Sequence, residues 1–152
     1  MKIQKIIYTA IVFAENPFVE AFGKRGFEGL VGSGYPNRFC HHVTIQFGFS
    51  TTELPDYIGS YPEFEVHEIR KDQNCIAAYG HVSVCDANLR KAMEGVNQHI
   101  TIATAEGVKP VYAKDMTGET IHAFRWPYFQ AYGRVGAFVV FDDGTTGWVF
   151  EK

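Results

Sequence analysis

The sequence is poor in cysteine, and its few cysteines show neither disulfide-framework nor metal-site spacing. The three thiols form no CxxC pair: Cys40, Cys75 and Cys85. An odd number of cysteines at unpatterned positions favours reduced thiols over a disulfide framework. We therefore expect a cytoplasmic chain without disulfides.

Long hydrophobic runs and a strong charge bias are also lacking. The apolar stretch near the N-terminus is interrupted by Lys5, Tyr8 and Thr9, so it is too short to span a bilayer, and it lacks a small-residue cleavage site. The chain has 14 Lys and Arg against 17 Asp and Glu, a net charge of -3, which does not favour capture of duplex DNA. We expect neither a membrane nor duplex DNA as a partner, whereas a small anion in a local pocket is compatible.

Several catalytic and cofactor motifs are missing. The glycine-rich segment 26–38 contains no GxxxxGK[ST], so a P-loop is not predicted, and no GxSxG or HExxH pattern occurs. Residue types that bind zinc are present without helpful ligand spacing. We predict no metal and no other cofactor, with zinc as the competing chemical interpretation. Its candidate ligands would be Cys40, His41, His42, Cys75, His81, Cys85 and His99.

The chain does have enough apolar residues for a core. Of its 152 residues, 46% are hydrophobic and 15% aromatic, and no composition break marks a linker. We predict one domain over residues 1–152. Its first half should begin with a central strand over 3–14, followed by a helix capped by Asn16 that ends at Gly23 or Gly26. The loop over 26–38 is then a candidate lid.

The second half shows further strand and helix signals. Asp86 is expected to cap a short helix that ends near Gly95, and Asp143-Gly144 is typical of a hairpin turn. Strands are predicted over 64–70, 76–84, 121–126, 135–141 and 148–150. The predicted fold class is mixed α+β with mostly antiparallel pairing.

One tetrapeptide pattern occurs twice, as His42-Val43-Thr44-Ile45 and as His99-Ile100-Thr101-Ile102. Both copies are rich in β-branched residues, and residues two apart in a strand share a face, so each strand presents an imidazole beside a hydroxyl. Two such strands side by side would surround a phosphodiester. One imidazole would accept a proton, the other would donate one, and the hydroxyls would donate hydrogen bonds to phosphate oxygens. Either histidine alone would favour a structural role, whereas the matched pair favours catalysis.

These two motifs match the 2H phosphoesterase superfamily, which is named for two His-x-Thr/Ser-x motifs with hydrophobic x, and the chain resembles that superfamily. The resemblance covers the motifs alone. It implies two lobes of antiparallel sheet flanked by helices around a central groove, and catalysis without a metal. It also implies that His42 and His99 form an acid-base pair and that Thr44 and Thr101 hold the phosphate.

Within the superfamily, the chain is most similar to phage anti-CBASS nucleases, which degrade cyclic oligonucleotide alarm signals. The shared features are the compact length, the Cys40-His41 lead-in to the first motif, and Trp148 close to the C-terminus. The resemblance implies a cyclic di- or trinucleotide substrate, immune evasion, and the cytoplasm of the host cell as location. RNA ends that carry a 2′,3′-cyclic phosphate are the alternative substrate. A non-catalytic nucleotide-binding module is the alternative of another class.

A protein that binds a cyclic oligonucleotide also binds its bases, either by stacking or by contacts to the base edges. Trp148 is the first candidate for stacking, and Asp142 is a candidate for reading a base edge. The other stacking candidates are Tyr8, Tyr112 and Trp126, and a place in the core is the competing interpretation for each aromatic residue. His41 should face away from His42 and be structural or exposed. The remaining histidines are expected at the surface or in the core: His67, His81 and His122.

Overall fold

The structure, a computed structural model, describes the backbone of residues 1–152 and every side chain except that of Val84. Strands dominate the chain, with two α-helices and one 3₁₀ helix between them. The elements in order are β1 (Ile3–Val12), α1 (Pro17–Val31), β2 (Asn37–Arg38), β3 (His42–Phe47), β4 (Glu63–Lys71), β5 (Cys75–Val84), α2 (Ala87–Met93), β6 (His99–Thr104), the 3₁₀ helix (Pro110–Asp115), β7 (Glu119–Ala123), β8 (Phe129–Tyr132), β9 (Arg134–Phe141) and β10 (Thr146–Val149).

The strands all belong to one antiparallel sheet. Its order is β10-β9-β1-β3-β6-β5-β4-β7, with β2 added to β6 and β8 added to β4. The mixed α+β class with mostly antiparallel pairing is therefore confirmed. Because the strands form a single sheet, the bilobal form of the prediction, with two sheets, is not confirmed.

The two motif strands lie side by side at the centre of this sheet. Val43 of β3 pairs with Ile100 of β6. The lead-in to β3 extends the contact, since the Cys40 N–H donates to the Thr101 carbonyl at 2.9 Å and the Phe39 N–H donates to the Ile102 carbonyl at 2.9 Å. A tertiary contact between residues far apart in sequence therefore aligns the two tetrapeptides.

One face of the sheet is covered by both helices. Apolar residues of the motif strands share a buried cluster with apolar residues of α1 and α2. Its central members are Phe18, Phe27, Val31, Val43, Ile45, Leu89, Met93, Ile100 and Ile102. Because strand side chains alternate, the motif histidines and threonines lie on the face that α1 and α2 do not cover.

Helix α1 begins as predicted and is interrupted at Gly23. The Asn16 Oδ1 accepts hydrogen bonds from the backbone N–H groups of Phe18 and Val19 at 2.9 and 3.3 Å. At Gly23 the backbone turns to φ 76° and ψ 163°, a conformation open to glycine, and the helix then resumes to Val31. The first helical segment therefore ends at Gly23, one of the two predicted ends, whereas the second segment, to Val31, was not predicted. The start of the proposed lid is helical because Phe27 and Val31 are buried in the core.

Other predicted elements agree closely with the structure. The Asp86 side chain accepts a hydrogen bond from the Leu89 N–H at 2.8 Å and caps α2, which ends before Gly95. The hairpin turn at Asp143-Gly144 joins β9 to β10. No helix in the described part of the chain combines the length and apolar character needed to cross a membrane.

Candidate active site

The register between β3 and β6 brings the two motifs together. With Val43 opposite Ile100 in an antiparallel pair, Thr44 stands across from His99 and His42 across from Thr101. Diagonal neighbours such as His42 and His99 are then about 7–8 Å apart at Cα, within reach of long side chains. All four side chains are partly buried. The two imidazoles and two hydroxyls predicted from the sequence thus share one face.

The imidazole of His99 is oriented by its own strand's lead-in. Its Nδ1 lies 2.8 Å from the carbonyl oxygen of Asn97, and because a carbonyl only accepts, Nδ1 carries a proton. The Nε2 atom is therefore left for a reaction partner. Burial lowers the pKa of His99, the Asn97 carbonyl acts in the opposite direction, and Lys114 lowers it further.

His42 is coupled to its neighbour in sequence. The rings of His41 and His42 stack at a centroid distance of 4.5 Å, and their Nδ1 atoms lie 2.5 Å apart. Burial lowers the pKa of His42 to about 4, with smaller contributions from His41 and His99. His42 is therefore neutral at neutral pH, and its Nε2 is not engaged by His41.

The prediction that His41 faces away from His42 is wrong. Strict alternation fails here because His41 precedes β3 and because Cys40 adopts a left-handed backbone with φ 70°. Such a conformation is uncommon for a residue with a side chain. Its effect is to turn the His41 ring back onto His42, although His41 is exposed as expected.

The two threonines differ in how free their hydroxyls are. The Thr101 hydroxyl donates to the Pro110 carbonyl at 3.2 Å, at the start of the 3₁₀ helix. Among the side chains that the structure describes, none forms a hydrogen bond with the Thr44 hydroxyl. Thr44 can therefore donate to a bound anion at once, whereas Thr101 must first rotate.

An aromatic cluster borders the His42 side of the site. The Tyr8 ring lies 5.7 Å from the His42 ring and 5.5 Å from Trp148, which it meets edge-on. The Trp148 ring lies 6.5 Å from His42, and Phe47 and Phe138 pack on Tyr8. Two residues predicted to contact substrate, Tyr8 and Trp148, thus lie beside the histidine pair.

The other predicted substrate contacts lie elsewhere. The Tyr112 hydroxyl donates to Asp72 Oδ2 at 2.6 Å, so its ring is directed to the β4–β5 turn. Trp126 is 81% exposed and follows β7, beyond β5 and β4 from β6. Asp142 follows β9, where its N–H donates to the Lys2 carbonyl at 2.9 Å. The structure does not bring these three residues to the motif histidines.

One cluster of potential metal ligands was not predicted from the sequence. The ligand atoms of Glu65, His67 and His81 all lie within 4.8 Å of one another. Counting outward from the turn near Asp72 would pair Glu65 with Val82, and only the register shift between Val66 and Glu68 brings His81 opposite Glu65. Without a known turn position, that register is not readable.

Comparisons of the chain with protein-family models, with curated proteins and with solved structures find no match.

Proposed function

We propose that this chain is a metal-independent phosphodiesterase that opens cyclic oligonucleotides with a two-histidine acid-base pair. The observation that carries the proposal is the face that β3 and β6 share and that α1 and α2 leave uncovered. On it, His42, Thr44, His99 and Thr101 occupy four neighbouring positions, and all four side chains are partly buried. A pair of imidazoles with adjacent hydroxyl donors suits in-line transfer at a phosphodiester.

The surroundings of the two histidines favour different roles. Burial and two neighbouring imidazoles keep His42 neutral, which suits a general base. The Asn97 carbonyl accepts the Nδ1 proton of His99 and stabilises its imidazolium, which suits a general acid. Because their environments differ in this way, we assign the role of general base to His42 and that of general acid to His99.

The reaction then proceeds by transfer within the substrate. The Nε2 of His42 takes the proton of a ribose 2′-hydroxyl, and the 2′-oxygen attacks the neighbouring phosphorus. As the bond from phosphorus to the 5′-oxygen breaks, the Nε2 proton of His99 passes to that oxygen. The product is a linear oligonucleotide with a 2′,3′-cyclic phosphate, and the Thr44 hydroxyl donates to a phosphate oxygen whose charge increases in the transition state.

The aromatic cluster supplies a surface on which a base can stack. Trp148 and Tyr8 are both within contact distance of His42, and each is partly exposed. A base on Trp148 would place its attached ribose and phosphate over the histidines. Stacking of a base on an aromatic ring contributes about 1–3 kcal/mol and tolerates any base.

The sheet also has a division that is compatible with two lobes. Strands β10, β9, β1 and β3 form one half, and β6, β5, β4 and β7 form the other. The halves meet where Val43 pairs with Ile100. We propose that this seam corresponds to the groove between the lobes of 2H phosphoesterases.

RNA ends are a second candidate substrate. The start of the predicted lid is helical and packs in the core through Phe27 and Val31, on the opposite side of the sheet from the histidines. An open face admits the end of a long RNA strand as well as a small ring. The same two histidines acting on water would open a 2′,3′-cyclic phosphate.

The test is a substrate panel read by mass spectrometry in the presence of EDTA. It contains 3′,3′- and 2′,3′-linked cyclic dinucleotides, cyclic trinucleotides, their 2′-O-methyl counterparts and an RNA with a 2′,3′-cyclic phosphate end. Opening of cyclic oligonucleotides, but not of the methylated rings, is expected. Action on the RNA end alone supports the second candidate, and binding without turnover of any substrate supports a binding module.

A further inference from the structure

A second group of polar side chains lies on the β4–β5 hairpin, on the same face as the motif histidines. Glu65 pairs with His81 across the two strands, and His67 lies two residues after Glu65. The register shifts between Val66 and Glu68, a bulge of the kind that redirects a side chain. Three potential ligands from two adjacent strands are thereby brought to one point.

Two of the distances within this group, each from a different oxygen of Glu65, are close to those between the ligands of a tetrahedral metal. Glu65 Oε1 lies 3.3 Å from His67 Nε2, and Glu65 Oε2 lies 3.4 Å from His81 Nε2. With zinc–nitrogen and zinc–oxygen bonds of about 2.0–2.1 Å, two ligands of a tetrahedral zinc ion are about 3.3 Å apart. One ligand atom from each residue lies within 4.8 Å of the other two, so the three side chains would draw closer together to coordinate one ion.

The Nε2 atom of His67 is a buried polar atom that lacks a hydrogen-bond partner among the described residues. Glu65 is close, but its contact with this nitrogen lacks the geometry of a hydrogen bond. A buried polar atom without a partner destabilises the folded state. A metal ion in the centre of the group would use the lone pair of this nitrogen and remove that destabilisation.

We propose that Glu65, His67 and His81 bind a divalent transition metal ion, with Zn²⁺ as the preferred ion. Two imidazoles and one carboxylate suit Zn²⁺ better than Mg²⁺ or Ca²⁺, which prefer oxygen ligands. Three protein ligands leave one tetrahedral position for water or for a ligand oxygen. The bound ion would crosslink β4 and β5 near the bulge.

The surroundings of the group support coordination. The Tyr128 ring lies 4.5 Å from the His67 ring and fixes its position, and the His67 and His81 rings are nearly perpendicular at 82°. The side chain of Glu65 is 12% exposed and that of His81 is 51% exposed. The Glu65 carboxylate is therefore largely shielded from solvent. The ion can enter from solvent past the more exposed His81 side chain.

This metal site is separate from the proposed acid-base pair. Tyr79 stands opposite His99, and His81 is two residues further along β5, so the Cα atoms of His81 and His99 are about 8 Å apart by strand geometry. The two sites share no ligand. Zinc binding and phosphodiester cleavage can therefore be tested, and can fail, independently.

The experiment is calorimetric titration of the full chain, stripped with a chelator and dialysed, with ZnCl₂. One Zn²⁺ per chain is expected for the wild type. Binding should be at least tenfold weaker in Glu65→Gln and His81→Ala. Two controls should bind like the wild type: His122→Ala, which removes an exposed histidine from β7, and the double variant His42→Ala/His99→Ala.

Thermal unfolding supplies a second measurement that also checks folding. Zinc should raise the Tm of the wild type and of both controls but not that of His81→Ala, because an ion that binds only the folded state stabilises it. The proposal is overturned if wild type binds no zinc saturably, if the two cluster variants bind it unchanged, or if binding is lost in His42→Ala/His99→Ala.

Discussion

Val43 on β3 stands directly opposite Ile100 on β6, and both side chains are fully buried. This pair holds the register that puts His42, Thr44, His99 and Thr101 on the other face of the sheet. A slip of one residue would move that set into the core and the isoleucines and valine into solvent. The burial of the motif's hydrophobic positions thus fixes the arrangement of its polar ones.

The pH dependence of kcat/KM should be bell-shaped with its maximum on the acid side of neutrality. His42 must be neutral to act as base, so the rate falls as pH drops through its pKa of about 4. His99 must be protonated to act as acid, so the rate falls as pH rises through its pKa, which burial lowers below the usual 6.5. The check is kcat/KM between pH 3.5 and 9.

The bound phosphodiester carries a negative charge, which favours both imidazolium forms. The kcat profile should therefore lie at higher pH than the kcat/KM profile. A kcat/KM maximum above pH 7.5 would show that the free protein holds these histidines in other protonation states.

The stability of the fold should fall as pH decreases from 6.5 to about 4. Over this range the unfolded chain protonates His42 whereas the folded chain keeps it neutral, so protonation favours unfolding. A pKa lowered from 6.5 to about 4 corresponds to a loss of up to about 3 kcal/mol. Urea unfolding at pH 7.5 and pH 4 measures the loss, and His42→Gln should reduce it. Equal losses in wild type and variant would contradict the burial of His42.

Removal of the Thr44 hydroxyl should reduce kcat more than removal of the Thr101 hydroxyl. Thr44→Val deletes a donor that is free in the described structure, and the loss of one such donor costs on the order of 100-fold in kcat. Thr101 already donates to the Pro110 carbonyl, so Thr101→Val should cost less. Steady-state kinetics decide the order, and Thr44→Ser should restore most of the rate. A larger loss of kcat in Thr101→Val than in Thr44→Val would indicate that the phosphate binds nearer β6.

Trp148 should contribute to substrate binding, whereas Trp126 should not. Trp148 lies 6.5 Å from His42, and the loss of one stacked base corresponds to a rise in KM of about tenfold or more. Trp126→Ala is the control, because the Trp126 ring is exposed on a loop far from the motif histidines. Trp148→Leu should raise KM with a small change in kcat. Unfolding curves would report any loss of the packing of Trp148 on Phe138 and Phe150, whose rings lie 5.2 and 6.1 Å from it. Equal KM values in both variants would remove Trp148 from the binding surface.

Local signals in the sequence predicted much of the fold. Asn16 and Asp86 act as helix caps, and Asp143-Gly144 forms the hairpin turn, because these structures depend on neighbouring residues. The continuation of α1 beyond Gly23 was not predictable in this way. The glycines weaken the helix locally, but burial of Phe27 and Val31 against the sheet outweighs that cost.

The site was predicted where it follows from strand alternation, and missed where it depends on tertiary geometry. Alternation places His42 and Thr44 on one face, but it fails for His41 because Cys40 has a positive φ. The group formed by Glu65 and His81 depends on the register of one hairpin. Neither a left-handed residue nor a hairpin register is encoded in the spacing of the histidines.

The most direct test of the two-histidine mechanism is the turnover of a cyclic oligonucleotide by four proteins in EDTA: wild type, His42→Ala, His99→Ala and the control His122→Ala. Wild type and control should open the ring at equal rates and yield a linear product with a 2′,3′-cyclic phosphate. Both single variants should lose at least 100-fold in kcat/KM while unfolding at pH 7.5 like the wild type. Equal turnover by all four proteins would contradict the two-histidine mechanism.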